Sequence, residues 1–184
     1  MRSILFTVTL ALWGSTTLAN DQALLLGVER YANLDRVSGA TDVADAQDAL
    51  KAVGFDVQVQ TNGAGADMTR GLTEFVSGVR NAERLVVGMS GAFVTDGDRS
   101  WLLPVDVADP ILFNLAGAVS IESVLRVLAA TPGQAVLVIG RDTSANDAYG
   151  PYVRDGLGDL EIPNGVTVVT ANVGAAADLL VSMA

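Results

Sequence analysis

The 184-residue chain contains no histidine and no cysteine, and Lys51 is its only lysine. Histidine is the usual general base and the commonest metal ligand, so both roles lack their ordinary residue. Without cysteine there is neither a thiolate nucleophile nor a disulfide. A serine–lysine dyad or a Schiff base would depend on Lys51 alone. These absences exclude most catalytic strategies before any motif is considered.

The first nineteen residues predict a signal peptide. Arg2 provides a positive start, an apolar run extends from Ile4 to Trp13, and small residues lead up to Ala19. This order is typical of a cleaved export signal, and the run is too short to span a bilayer. Alternatively, the run would be the first strand of the domain. We expect cleavage after Ala19 and a periplasmic or secreted protein with one domain, residues 20–184.

The composition is strongly acidic, with 21 acidic against 11 basic residues and a net charge of −10. Loss of Arg2 with the signal peptide would make the net charge −11. Such a surface repels nucleic-acid phosphates and anionic lipids. We therefore expect neither nucleic acid nor a membrane as partner, but a protein or a basic peptide.

Short apolar runs alternate with amphipathic segments along the chain, which predicts an α/β fold with a mainly parallel sheet and helices on both faces. The second helix should pack with Met68, Leu72, Phe75, Val76 and Val79, and Ser120 should cap the third. The predicted strands are ALLLGV, FDVQVQT, RLVVGMS, AVLVIG and VTVVTA, and the predicted helices are TDVADAQDALKAV, DMTRGLTEFVSGVR, SIESVLRVLAA and AAADLLVSM.

Motifs for cofactors or metals are missing. The first strand is followed by GVERYANLDRVSG, which is neither a G-x-G-x-x-G turn nor a lysine-bearing phosphate loop, so we expect no cofactor. TDGD, from Thr95 to Asp98, has two acids around a glycine, as a cation loop would. The rest of a calcium loop is missing, which favours a tight solvated turn and no metal site.

Three segments resemble, in the same order, bacterial caspase-like and metacaspase-like peptidases of family C14. The first is ALLLGVERYANLDRVSGATDVADAQDALKAVGFDVQV, with a G-x-x-x-Y turn and a G-F before the second strand. The second is LVVGMSGAFVTDGDRSWLLPVDV, with an S-G turn and a later L-L-P-V-D, and the third is VSIESVLRVLAATPGQAVLVIGRD. The resemblance implies a caspase-like three-layer α/β fold.

The chain departs from this family at the two catalytic positions. Ala92 stands where the family has its histidine after the S-G turn. The family's cysteine falls in the region Gly140, Arg141 and Asp142, where it is either deleted or replaced by Asp142. The family's chemistry needs a thiolate activated by an imidazole, so the resemblance implies a pseudoenzyme with no catalytic residues.

Two residues match the family's pocket for a basic substrate side chain. Asp42 matches its acidic residue at a helix start, and Ser90 matches the serine of its S-G turn. The family's second acidic residue falls on Gly140, so the resemblance implies half a pocket. In the competing interpretation, Asp42 only caps the helix and Ser90 is small because the strand is crowded.

Three functions remain open from the sequence. The first is an inactive caspase-like module that binds a protein or a basic peptide. The second is a carboxylate- or metal-dependent hydrolase on the same scaffold, and the third is a degenerate remnant that resembles a peptidase only by descent. The hydrolase would draw on Asp42, Asp96, Asp98, Asp106 and Asp142.

Overall fold

The computed structural model describes residues 21–108, 110–111, 114–143 and 149–184. The predicted signal peptide, residues 1–19, lies outside the described residues. The strands are β1 (Asp21–Gly27), β2 (Phe55–Thr61), β3 (Leu85–Ser90), β4 (Phe93–Thr95), β5 (Ser100–Leu102), β6 (Val119–Ser120), β7 (Ala135–Gly140), β8 (Arg154–Asp155) and β9 (Val166–Ala171). The α-helices are α1 (Ala46–Ala52), α2 (Gly65–Val79), α3 (Ile121–Leu128) and α4 (Val173–Ser182), and a 3₁₀ helix (Ala40–Asp45) precedes α1.

The five apolar runs of the sequence form one parallel sheet in the order β2-β1-β3-β7-β9. Every residue of β1 and β3 is buried. A strand buried on both faces has no polar side to show, which explains why these runs lack alternation. The outer strand β2 alternates near its start, as its sequence predicts. The predicted α/β class with a mainly parallel sheet is confirmed.

The strands end level with one another at the carboxyl edge of the sheet. Gly27 is paired with Thr61 on one side and with Ser90 on the other. Ser90 is paired in turn with Gly140, and Gly140 with Ala171. We call these five residues the edge row. Loops that leave the edge row are where a sheet of this kind places its binding residues.

Helices cover both faces of the sheet and give the molecule three layers. On one face, α2 and α3 bury Met68, Phe75 and Leu125 against Leu24 and Met89. The other face carries α1 and α4, whose buried side chains pack against β1, β2, β3 and β7. The buried residues of this second cluster are Ala23, Leu25, Val43, Ala46, Leu50, Phe55, Val57, Val86, Val138, Ala176 and Leu180. Within the described part of the chain, each helix is too short or too polar to cross a membrane.

A second, antiparallel sheet of short strands follows the order β6-β5-β4-β8. The sequence predicts two long interruptions, from Thr95 to Ala118 and from Asp142 to Pro163, and no strand within or beside them, so this sheet was missed. Its strands have two or three residues each, which is too short for a period of two to be recognised.

The helix predictions hold with two exceptions. The first predicted helix, TDVADAQDALKAV, is a 3₁₀ helix (Ala40–Asp45) followed by the shorter α1 (Ala46–Ala52). Ser120 caps α3 as predicted, because its Oγ accepts the backbone N–H of Ser123 at 3.2 Å. Val76 was assigned to the packed face of α2, but it is 44% exposed. The helical period places it at the margin of the apolar stripe, and the neighbouring Phe75 fills the core there.

Candidate functional site

Ala92 follows the S-G turn at the end of β3 and is only 7% exposed. It belongs to an apolar cluster at the carboxyl edge of the sheet that comprises Val37, Ala40, Ala92, Val94, Trp101, Leu103, Val107 and Val173. Its methyl group thus packs among hydrocarbon, and the position supplies no group for proton transfer.

The backbone of this turn is held by Tyr31, to which the sequence analysis gave no role. The Tyr31 hydroxyl accepts the Ala92 N–H at 2.8 Å and donates to the Val28 carbonyl at 3.2 Å. Gly91 adopts φ 150°, and a side-chain carbon there would lie 2.7 Å from the Tyr31 hydroxyl. The G-x-x-x-Y motif could have indicated this role, because it places the Tyr31 side chain in the loop after β1, from which it reaches the end of β3.

Ser90 was predicted to line a pocket for a basic side chain, but it is 0% exposed. Its hydroxyl has no hydrogen-bond partner among the described residues. A side-chain carbon at Gly140 would lie 2.8 Å from Ser90 Oγ and 2.9 Å from Ala176 Cβ. In this conformation Ser90 therefore contacts no solvent and lines no open pocket. The surrounding strands and α4 are packed too closely for that.

Asp42 lies in the first turn of the 3₁₀ helix and is exposed. The alternative interpretation, in which Asp42 caps the helix, is wrong. The cap residue is Gly39, which adopts a left-handed conformation (φ 81°), and no side chain makes a capping hydrogen bond there. The exposed carboxylates of Asp45 and Asp48 follow in the same segment. Asp42 thus offers its carboxylate to solvent.

The region of the expected cysteine is occupied by a charged pair. Arg141 follows Gly140 directly, and its Nη2 lies 3.6 Å from Asp155 Oδ2. The Arg141 side chain also lies against Gly156, where an added side-chain carbon would be 2.9 Å from Nη2. Asp142 is partly buried. Arginine and aspartate give this place charge but no nucleophile that the family's chemistry uses.

Glu29 lies in the loop after β1, close to the edge row, and its carboxylate accepts several hydrogen bonds. It is 7% exposed, and its carboxylate accepts hydrogen bonds from Thr41 Oγ1 at 2.7 Å and from Arg36 Nε at 2.7 Å. The hydrogen bond from Thr41 and those from Arg36 hold the pKa of Glu29 below its ordinary value of 4.5, against the effect of burial. Asn62 adds support, because its Oδ1 accepts the backbone N–H groups of Glu29 and Arg30.

Two of the carboxylates considered for a hydrolase, Asp96 and Asp106, have separate local roles. Asp96 accepts the backbone N–H groups of Asp98 and Arg99, so TDGD is the predicted tight turn. Burial acts to raise the pKa of Asp96, but the hydrogen bonds from Arg99 outweigh it and the pKa is lowered. Asp106 accepts the N–H of Gly65 at 3.0 Å and so caps α2 from a distant loop.

Among residues 21–108, 110–111, 114–143 and 149–184, no three acidic side chains come together in a group that could hold a metal ion.

Comparison with known proteins decides the family. A family model described as the caspase domain matches residues 20–184. The chain belongs to the caspase family. No curated protein sequence matches it. This caspase domain therefore carries the family's scaffold with alanine and arginine–aspartate at the places where the resemblance puts histidine and cysteine.

One solved caspase shares the fold at low sequence identity. The structure of pro-sf-caspase-1 has a TM-score of 0.55 and 14% identity, and the match covers 84% of this caspase domain and 62% of that chain. The Drosophila initiator caspase Dronc has a TM-score of 0.48 and 14% identity, with 70% of this chain and 51% of that chain covered. The present chain thus spans about half to three fifths of these neighbours.

Proposed function

We propose that this chain is a catalytically inactive caspase domain that is exported and binds a basic segment of a protein partner. The absence of any histidine or cysteine from the whole sequence carries the first part, because no residue pair can form an activated thiolate. The burial of Ala92 among apolar side chains supports the assignment as inactive, because this position is part of the apolar core and carries no polar group.

The binding part of the proposal rests on Asp42. Its carboxylate is exposed, makes no capping hydrogen bond, and is followed by the exposed Asp45 and Asp48. A net charge of −10 favours the approach of a cationic partner over long distances, and a carboxylate that meets a guanidinium forms a charge-assisted hydrogen bond.

Purified protein should hydrolyse no reporter peptide with arginine, lysine or aspartate before the scissile bond. The assay is fluorogenic release over hours, with an active cysteine peptidase of known concentration as the positive control. Hydrolysis that stays at constant specific activity through three different chromatographic steps would show that the domain is an enzyme and would overturn the inactive assignment.

An arginine-bearing hexapeptide should bind, and Asp42→Asn should weaken its binding about tenfold or more, because a hydrogen bond to a charged group contributes about 1.5–3 kcal/mol. Isothermal titration at low salt measures the affinity. Asp56→Asn is the matched control, since Asp56 is an exposed acid on β2 near the opposite edge of the sheet.

Equal affinities of the Asp42→Asn and Asp56→Asn proteins would exclude Asp42 as the binding residue. If the wild-type protein binds no basic peptide at any salt concentration, the domain is a remnant of the family without this activity.

Export can be checked at the N-terminus. If the signal peptide is cleaved after Ala19, N-terminal sequencing of protein from the periplasm or medium should begin at Asn20. A protein that stays in the cell and retains Met1 would contradict export, while leaving the binding proposal intact.

A further inference from the structure

Asparagine or aspartate stands directly before glycine at four places in the chain. Such pairs are chemically labile, because glycine has no side chain to hinder attack of its backbone nitrogen on the preceding side-chain carbonyl. The attack requires a side chain that is free to rotate and a glycine N–H that is open to water. The four pairs are Asn62-Gly63, Asp96-Gly97, Asp155-Gly156 and Asn164-Gly165. The sequence thus offers four candidates, among which the structure discriminates.

The pair Asn62-Gly63 is restrained by the fold. Asn62 Oδ1 accepts the backbone N–H groups of Glu29 at 2.9 Å and of Arg30 at 3.0 Å, so the side-chain amide cannot rotate without breaking both bonds. Gly63 is buried, which keeps a base in solution away from its N–H.

The two aspartate pairs are restrained at their glycines. The N–H of Gly97 donates to Thr95 Oγ1 at 2.9 Å. The N–H of Gly156, which is buried, donates to the Phe93 carbonyl at 2.9 Å. A nitrogen engaged in this way is a poor nucleophile, and the negative charge of an aspartate repels it further.

The pair Asn164-Gly165 differs from the other three. Both residues are exposed, and within the part of the chain that the structure describes neither the Asn164 side chain nor the Gly165 N–H makes a hydrogen bond. They form the centre of a turn that is closed by a bond from the Val166 N–H to the Pro163 carbonyl at 3.1 Å. Gly165 has φ 82°, as the third position of a type II turn requires.

We propose that Asn164 is a site of covalent modification, at which the protein deamidates with water as the co-reactant. The Gly165 nitrogen loses its proton to a base in solution and bonds to Asn164 Cγ. The side-chain nitrogen takes up a proton and leaves as ammonia, which closes a succinimide ring. Water then opens the ring, giving aspartate if it attacks Cγ and isoaspartate if it attacks the main-chain carbonyl. No electrons are transferred, and the inference does not depend on the proposed binding function.

Isoaspartate in place of Asn164 would disturb the start of β9. It adds one carbon atom to the main chain directly before Gly165, whose carbonyl accepts the Gly133 N–H at 2.6 Å. The next residue, Val166, is the first of β9 and is paired with Ala135 of β7. A longer main chain shifts both positions, so we expect the first residues of β9 to be held less firmly after modification.

Peptide mapping by mass spectrometry, after incubation of the folded full-length protein at mildly alkaline pH, tests the site. Asn164 should gain one mass unit about tenfold faster than Asn62 or more, because Asn62 must first break two hydrogen bonds. Resistance of the modified peptide to a protease that cuts before aspartate identifies isoaspartate. Asn164→Gln should abolish the change at this position, since glutamine closes its larger ring much more slowly.

Protein unfolded in urea is the matched control. Both asparagines precede glycine, so they should react at similar rates once the fold is lost. Equal rates for Asn62 and Asn164 in the folded protein would overturn the inference, because the fold would then not select the site. An Asn164 that stays unmodified in the folded protein, whether or not it reacts in urea, would overturn it as well.

Hydrogen exchange measures the effect on the strand. In the isoaspartate form, amides at the start of β9 should exchange faster than in the Asn164→Gln protein, and those of β1 should be unchanged. Identical exchange throughout β9 in the two proteins would contradict the expected loosening.

Discussion

Replacing Gly140 with aspartate is expected to destabilise the domain by about 3 kcal/mol or more, or to prevent folding, because it combines overpacking with an unpaired buried charge. A side-chain carbon at this position would lie 2.8 Å from Ser90 Oγ and 2.9 Å from Ala176 Cβ, both of which are fully buried. The family pattern has an acidic residue at this position. The substitution therefore restores the second acidic residue of the family's pocket, but the packing leaves no room for its side chain. Thermal and urea unfolding measure the loss.

Gly174→Ala is the control that replaces a glycine at a position with free space around it. The nearest atom to an added carbon there is Asn172 Oδ1 at 4.0 Å, so this variant should be stabilised by up to about 1 kcal/mol through helix propensity. A Gly140→Asp protein that unfolds at the same temperature as wild type would show that α4 is not packed against the edge row as described.

Replacing Glu29 with glutamine should reduce stability at neutral pH by about 2 kcal/mol, the value of charge-assisted hydrogen bonds in a shielded position. The carboxylate accepts from Thr41 and from Arg36, and these bonds hold its pKa below 4.5. Because the folded pKa is lowered, the stabilisation is complete above about pH 4.5 and is lost as the pH falls through the folded pKa. The wild-type and Glu29→Gln unfolding curves should therefore converge in acid.

The matched control is Glu74→Gln, which removes an exposed carboxylate from α2 and should change stability by less than about 0.5 kcal/mol. A stability difference between the wild-type and Glu29→Gln proteins that stays constant from pH 7 to pH 3 would show that the carboxylate charge is not what stabilises the end of β1.

The parallel sheet could be predicted because strands buried on both faces appear in the sequence as continuous apolar runs. Runs such as Leu24–Leu26 and Val136–Ile139 have no alternation, and each is separated from the next by a segment of helical period. The antiparallel sheet could not be predicted, since the pairing of Phe93 with Leu102 depends on the tertiary approach of short strands. The exposure of Val76 was likewise set by how α2 lies on the sheet.

The residues of the candidate site could be predicted from the sequence, but their burial and hydrogen bonding could not. Sequence reasoning found Asp42 and Ser90 through the resemblance, but its competing interpretation of Asp42 as a helix cap is wrong, because Gly39 is the cap residue and no side chain caps the helix there. It also placed Ser90 at a pocket surface, although α4, some eighty positions later in the chain, covers it. Tyr31 and Glu29 gained their roles from contacts with distant segments, which local patterns do not reveal.

The order of the strands in the sheet also determines when each strand can pair during folding. β1 is the first strand of the domain, but it lies between β2 and β3, so its second partner is complete only at Ser90. A chain that emerges N-terminus first must therefore carry one side of the apolar run Ala23–Leu26 unpaired until Ser90 has followed. Non-local parallel pairing of this kind forms slowly, typically over milliseconds to seconds. Under the proposed export, this slow pairing would leave one side of the core strand exposed while the chain crosses the membrane.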